Sequence, residues 1–152
     1  MKSKLLLPAT LIFLCACSQA GKDRDLNVVL AQTPPEAGYQ LGGSIDSVEI
    51  DPEKDILTAK GWHMLTPKTN PHELRVYMPG AESVLSVARM ERPDVSAAVG
   101  DPDLLGSGFE VRIKLRQDAD IKQLCITVDD KHYGHRLLSP HTPDQARCAA
   151  SG

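Results

Sequence analysis

The segment FEVRIKLR constrains the fold of this chain more than any other. Phe109, Val111, Ile113 and Leu115 alternate with Glu110, Arg112, Lys114 and Arg116, a period of two that a strand with one dry face and one wet face satisfies. The segment LCITV repeats the theme, placing Leu124, Ile126 and Val128 inward and Cys125 on the outer face. Further short runs occupy 44–50, 56–62, 73–78, 83–89 and 131–137, and the turn signals DPEKD, TPKTNP, PGA and VDDK separate them. One connection differs: RPDVSAAVGDPDLLGSG predicts two short helical turns. Asp94 caps the first, through Val95 to Val99, and Gly100 ends it. Asp101 and Pro102 open the second ahead of Leu104 and Leu105. Val95, Val99 and Leu104 then plug one end of the core. These segments predict an all-β domain, an antiparallel two-sheet sandwich, with a small β-barrel as the alternative because closure leaves no mark in a sequence.

The start of the chain carries an address. Lys2 and Lys4 precede a twelve-residue apolar run from Leu5 to Ala16, broken by Pro8. A helix needs about 20 residues to cross a bilayer core, so the run reads as an export signal. Its end, LCAC from Leu14 to Cys17, resembles the lipobox of bacterial lipoproteins. The resemblance implies that residues 1–16 are a signal peptide and that Cys17 becomes an acylated first residue. With Ser18 in the following position, it also implies an outer-membrane destination. Ordinary cleavage after Ser18-Gln19-Ala20, which would release a soluble protein, is the competing reading. A Cys15-x-Cys17 metal site has no further ligands nearby.

In either scheme Cys15 is discarded. Cys125 and Cys148 remain in the folded part, where two thiols of an exported protein are expected to join as one disulfide. Residues 17–42, rich in Gly, Pro, Gln and charge, read as an anchor and flexible tether in which only LNVVLA has an apolar character suited to packing. About 24 such residues would reach roughly 80 Å fully extended. Residues 43–152 form the domain, with a stapled C-terminal tail.

The ordered pattern GSIDSVEID, LTAKGW, LRVYM and RPDVSAAVGDPDLLGSGFEVRIKL, from Gly43 to Leu115, resembles immunoglobulin-like modules of bacterial envelope and surface proteins. The resemblance implies an immunoglobulin-like sandwich acting as a non-catalytic accessory or adhesion-type module. It supplies no catalytic residue. His63 and Met64 after the Gly-Trp pair, and the cysteine staple, depart from it.

Chemistry-bearing residues are few. His132 and His135, with His141 beyond Pro140, are the candidate ligands for zinc or copper, and solvated or structural histidines are the plainer account. Trp62, the single tryptophan, is a candidate partner contact if exposed and a core residue if not. Glu49, Asp51, Glu53 and Asp55 read as a solvated face or a weak calcium loop. No nucleophile elbow, phosphate-cradling loop or dinucleotide fingerprint appears. Without Lys2 and Lys4 the basic residues fall from 17 to 15 against 20 acidic ones, a formal net charge of -5. That balance excludes a nucleic-acid partner. The reading is a lipid-anchored binding or structural module for an envelope protein or glycan, with no cofactor beyond the lipid on Cys17. Metal binding through His132 and His135 is the alternative, and a hydrolase or sugar-active protein a more distant one.

Overall fold

The computed structural model describes residues 26–36, 40–64, 72–130 and 134–139. Eight strands make a single mixed sheet: β1 (Leu26–Ala31), β2 (Gln40–Asp51), β3 (Ile56–His63), β4 (His72–Tyr77), β5 (Ala81–Met90), β6 (Gly108–Leu115), β7 (Cys125–Asp130) and β8 (Gly134–Ser139). Their order across the sheet is β1-β4-β7-β8-β2-β3-β6-β5. The two edges, β1 and β5, come within 8 Å of each other between Cα atoms. The sheet is therefore curled into a nearly closed, barrel-like body.

All seven predicted strands are present, but they do not separate into two unconnected sheets. The reason lies in β2, whose 12 residues are long enough to serve two neighbours. Gln40 to Ser44 run parallel to β8, and Gly43 to Asp51 run antiparallel to β3 with a bulge between Ile45 and Ser47. The bulge leaves Asp46 exposed, where it pairs with Arg92. Asp51 ends β2 by accepting hydrogen bonds from the backbone N–H groups of Glu53 and Lys54, both at 3.2 Å. These turn the chain into β3 and engage Asp51 in the turn itself.

The interior follows the alternation. Phe109, Val111, Ile113 and Leu115 of β6 are buried beside Leu57 and Ala59 of β3, Leu74 and Val76 of β4, and Leu124, Ile126 and Val128 around β7. The opposite face of β7 departs from expectation. Cys125 stands opposite Tyr77, on the outward side of the sheet, yet is only 2% exposed, and Thr127 is buried as well. β7 lies between β4 and β8 in the sheet, and residues 33–36 stand beside its outer face at Thr127 and Asp129.

The supposed tether supplies those residues and β1 before them. Leu26–Ala31 is a strand, paired in parallel with β4 from Leu26 opposite His72 to Ala31 opposite Tyr77. Leu26 is part of the core, and Val28 and Leu30 pack against it. Of the expected tether over 17–42, Leu26–Ala31 is thus a strand of the domain and residues 40–42 open β2, while 17–25 lie outside the described residues.

In the β5–β6 connection, α1 (Pro93–Val99) and a 3-10 turn (Pro102–Gly106) occupy the predicted places. The cap differs, because Arg92 and not Asp94 is the N-cap residue of α1. The Asp94 carboxylate instead holds the Arg92 guanidinium, with Oδ1 2.9 Å from Nε and Oδ2 2.7 Å from Nη2. Gly100 ends the helix in the left-handed conformation, and Asp101 caps the second turn through the Asp103 N–H. Val95 and Leu104 are buried as expected, but Val99 is 47% exposed. Val99 is the last residue of the helix, beside the Gly100 cap.

Candidate functional site

β1 and β2 run in the same direction, so the chain between them has to recross the sheet from one end to the other. Residues 32–36 begin that crossing. Pro34 and Pro35 suit a segment that donates nothing to a ladder, and together with Thr33 and Glu36 they form a strap beside the outer face of β4 and β7. Beneath it lies a cleft of about 370 Å³. Arg75 and Tyr77 of β4 and Thr127 and Asp129 of β7 make its floor. These side chains are neighbours because Arg75 stands opposite Thr127 in the antiparallel register.

Arg75 is fixed by two carboxylates. Its Nε lies 2.9 Å from Glu73 Oε1 and 2.8 Å from Asp129 Oδ2. Asp129 is the shielded member of this group, with a side chain only 14% exposed. The lining itself carries two carboxylates, Glu36 and Asp129, against the single guanidinium of Arg75. The cleft therefore carries net negative charge and offers hydrogen-bond acceptors, a tyrosine ring and proline surfaces. No histidine, serine or cysteine is among its described lining residues. The hydroxyls of Tyr77 and Thr127, the Arg75 guanidinium and the carboxylates equip this lining to hydrogen-bond a polar ligand.

At one end of the barrel interior lies a second polar group. His63 ends β3 and His72 begins β4, and both occupy inward phases of their strands. Neither imidazole is exposed, and the two rings meet edge to face with centroids 4.8 Å apart. The His63 N–H donates to the Ser107 carbonyl at 3.1 Å, and Arg89 Nη1 donates to the neighbouring Gly106 carbonyl at 3.1 Å. Among the described residues, no three of His, Cys, Asp or Glu are grouped so as to hold a metal ion. The pair was legible in principle: counting inward positions from Leu57 reaches His63, and counting back from Val76 reaches His72.

The structure separates the sequence candidates. Trp62 is half-buried on the outward face of β3, one position before His63, and is not part of the core. Cys125 is disulfide-bonded, while its expected partner Cys148 lies outside the described residues. Cys17, the leader 1–16, His132 and His141 also lie outside them. His135 is placed by its backbone alone, in β8 opposite Asp129. Arg75, Tyr77, Thr127 and Asp129 were not singled out in the sequence, because each is one of many polar residues on outward strand positions. Comparison with protein-family models, with curated proteins and with solved structures found no match for this chain.

Proposed function

We propose that this protein is an outer-membrane lipoprotein, held by an acylated Cys17 after removal of residues 1–16, whose domain is a non-catalytic binding module for another envelope component. The observation that carries the binding role is the cleft under the Pro34–Pro35 strap. There a clamped arginine, a tyrosine, a threonine and the shielded Asp129 carboxylate converge beside the strap. The excess of carboxylates favours a neutral or cationic, hydrogen-bonding partner, such as an extended segment of an envelope protein or a glycan.

The strand order supports an immunoglobulin-like version of the fold. With β2 to β8 taken as A to G, the neighbours β2-β3-β6-β5 are A-B-E-D, and β4-β7-β8 are C-F-G, the two sheets of the constant-type immunoglobulin arrangement. On this reading β2 belongs to both sheets and β1 is an addition to the C edge. The Cys125 to Cys148 bond would then tie the tail to strand F. Zinc or copper binding at His132 and His135 remains a separate proposal that no described residue supports.

A photo-crosslinking residue at Tyr77 or Glu36, introduced one at a time in intact cells, tests the binding role. A discrete adduct that disappears when Arg75→Ala is added is the expected result. Absence of an adduct at both positions, with the protein folded and present at normal levels, removes the cleft from the functional account.

A further inference from the structure

The exposed apolar side chains are unevenly distributed. Among the described residues seven large apolar side chains are exposed, and five of them, Leu41, Met64, Met90, Val99 and Leu105, lie at one end of the barrel. This is the end at which β3 and β5 finish and β2, β4 and β6 begin. Leu41 opens β2 at 65% exposure, and the adjacent Gly42 carbonyl accepts from the Met64 N–H at 2.7 Å, which sets Met64 beside it. Met64 is 46% exposed and two positions beyond Trp62. Trp62 faces Gly108, and Gly108 faces Met90, in one row across β3, β6 and β5. Gly108 contributes no side chain, so the stem of Arg92 lies over it. Leu105 and Val99 stand on the connection that leaves β5 at this same end, and the Leu105 carbonyl accepts from Arg92 N–H at 2.6 Å.

The chain enters the domain at this end too. Leu26, the first residue of β1, is opposite His72, the first residue of β4. Nine residue steps separate Leu26 from Cys17, so a lipid on Cys17 would hold this end within about 30 Å of the bilayer. A rim of methionine, leucine and an indole, held there by a short tether, matches the chemistry of a membrane interface. At such an interface an amphipathic indole sits at headgroup level and small apolar surfaces gain by partial burial.

We infer that the rim formed by Leu41, Trp62, Met64 and Met90 rests on the lipid surface, so that the domain lies against the membrane and does not stand off it. This inference rests on the lipid-anchor reading above. The occupant is the bilayer because anchor and rim share one end of the barrel and the intervening chain is short. The strap cleft, on the outer face of β4 and β7, stays open to the side.

Trp62, as the single tryptophan, makes the test direct. The full-length acylated protein is reconstituted into phosphatidylethanolamine and phosphatidylglycerol vesicles, with and without brominated acyl chains, and its emission is compared with that of a Cys17→Ala variant. The expected result is a blue shift, quenching by brominated lipid and loss of acrylamide access in the acylated protein alone. A Met64→Ser, Met90→Ser double variant, altered only at exposed positions, should stay anchored while regaining acrylamide access. Protein that floats with vesicles but leaves Trp62 unquenched by brominated lipid overturns the membrane contact while sparing the anchor. Protein whose intact mass shows no lipid and which does not float refutes both. Protection of Trp62 that grows with protein concentration without vesicles assigns the rim to a second copy of the chain and overturns the inference.

Discussion

Leu26→Ala decides whether the segment before β2 belongs to the domain or to a tether. In the structure Leu26 is 3% exposed and belongs to the main core, whereas a leucine in a tether contributes almost nothing to stability. The substitution removes three carbons from a dry environment, about 2.4 kcal/mol at roughly 0.8 kcal/mol per buried methylene. A residual cavity would raise this toward the 2 to 5 kcal/mol range usual for Leu→Ala, but β1 is an edge strand that can settle inward, which keeps the expectation at about 2 to 3 kcal/mol. For a domain of this size that is a fall in Tm of about 8 to 12 °C. The assay is urea unfolding of the disulfide-intact protein beginning at Ser18, followed by Trp62 emission. Leu41→Ala, at a position 65% exposed, serves as the control and should change stability by less than about 0.5 kcal/mol. If Leu26→Ala matched Leu41→Ala, β1 would be dispensable. The anchor would then regain its long reach, and the membrane-facing orientation would lose its geometric basis.

Three further outcomes follow from particular contacts. Gly61→Ala places a Cβ against the Ser44 carbonyl and 2.8 Å from Phe109 Cζ, so a loss of about 2 to 3 kcal/mol, or failure of the protein to accumulate, is expected in denaturation and expression measurements. The hydrogen bond from Arg92 holds Asp94 at about 2, below its ordinary 3.8. The resulting stabilisation is present above pH 3.8 and is lost as pH falls through 2, so the difference in urea midpoint between wild type and Asp94→Asn should narrow over that interval; a gap unchanged at pH 2 would count against it. Cys148→Ser should cost about 3 kcal/mol if it breaks the bond to Cys125. It should also leave one thiol that reacts with a thiol reagent far faster in denaturant than in the native state, because Cys125 is buried.

The strands that the sequence announced most clearly are those whose period could be counted locally, such as Phe109 to Leu115. β1 escaped because six residues set among Gln, Pro and charge carry too short a pattern, and because a parallel partner 46 positions away leaves no turn signal beside it. The start of β2 fell within the stretch assigned to the tether, and Gly42 and Gly43 carry no strand alternation. In the structure Gly42 makes room for the Arg136 stem, and a Cβ on Gly43 would meet the Trp62 carbonyl. Asp94 matched a capping preference, but the helix starts one residue before it, with Arg92 as N-cap, and its carboxylate takes two hydrogen bonds from the Arg92 guanidinium. The cleft was beyond local reading altogether. Its floor comes from β4 and β7 and its strap from residues before β2, so it exists only once the barrel has closed.

Under the proposed anchor at Cys17, force on the lipid would enter the fold through β1. β1 runs from the anchored end toward the opposite end and is held to β4 along its whole length by a parallel ladder. A pull toward the membrane therefore acts along the strand and loads the hydrogen bonds of that ladder together, in place of peeling them one by one. The strap that follows β1 stands beside β4 and β7, so displacing β1 would disturb the cleft before it disturbed β3 or β6. On the proposed reading, attachment and recognition would share one mechanical element, β1 and the strap that follows it.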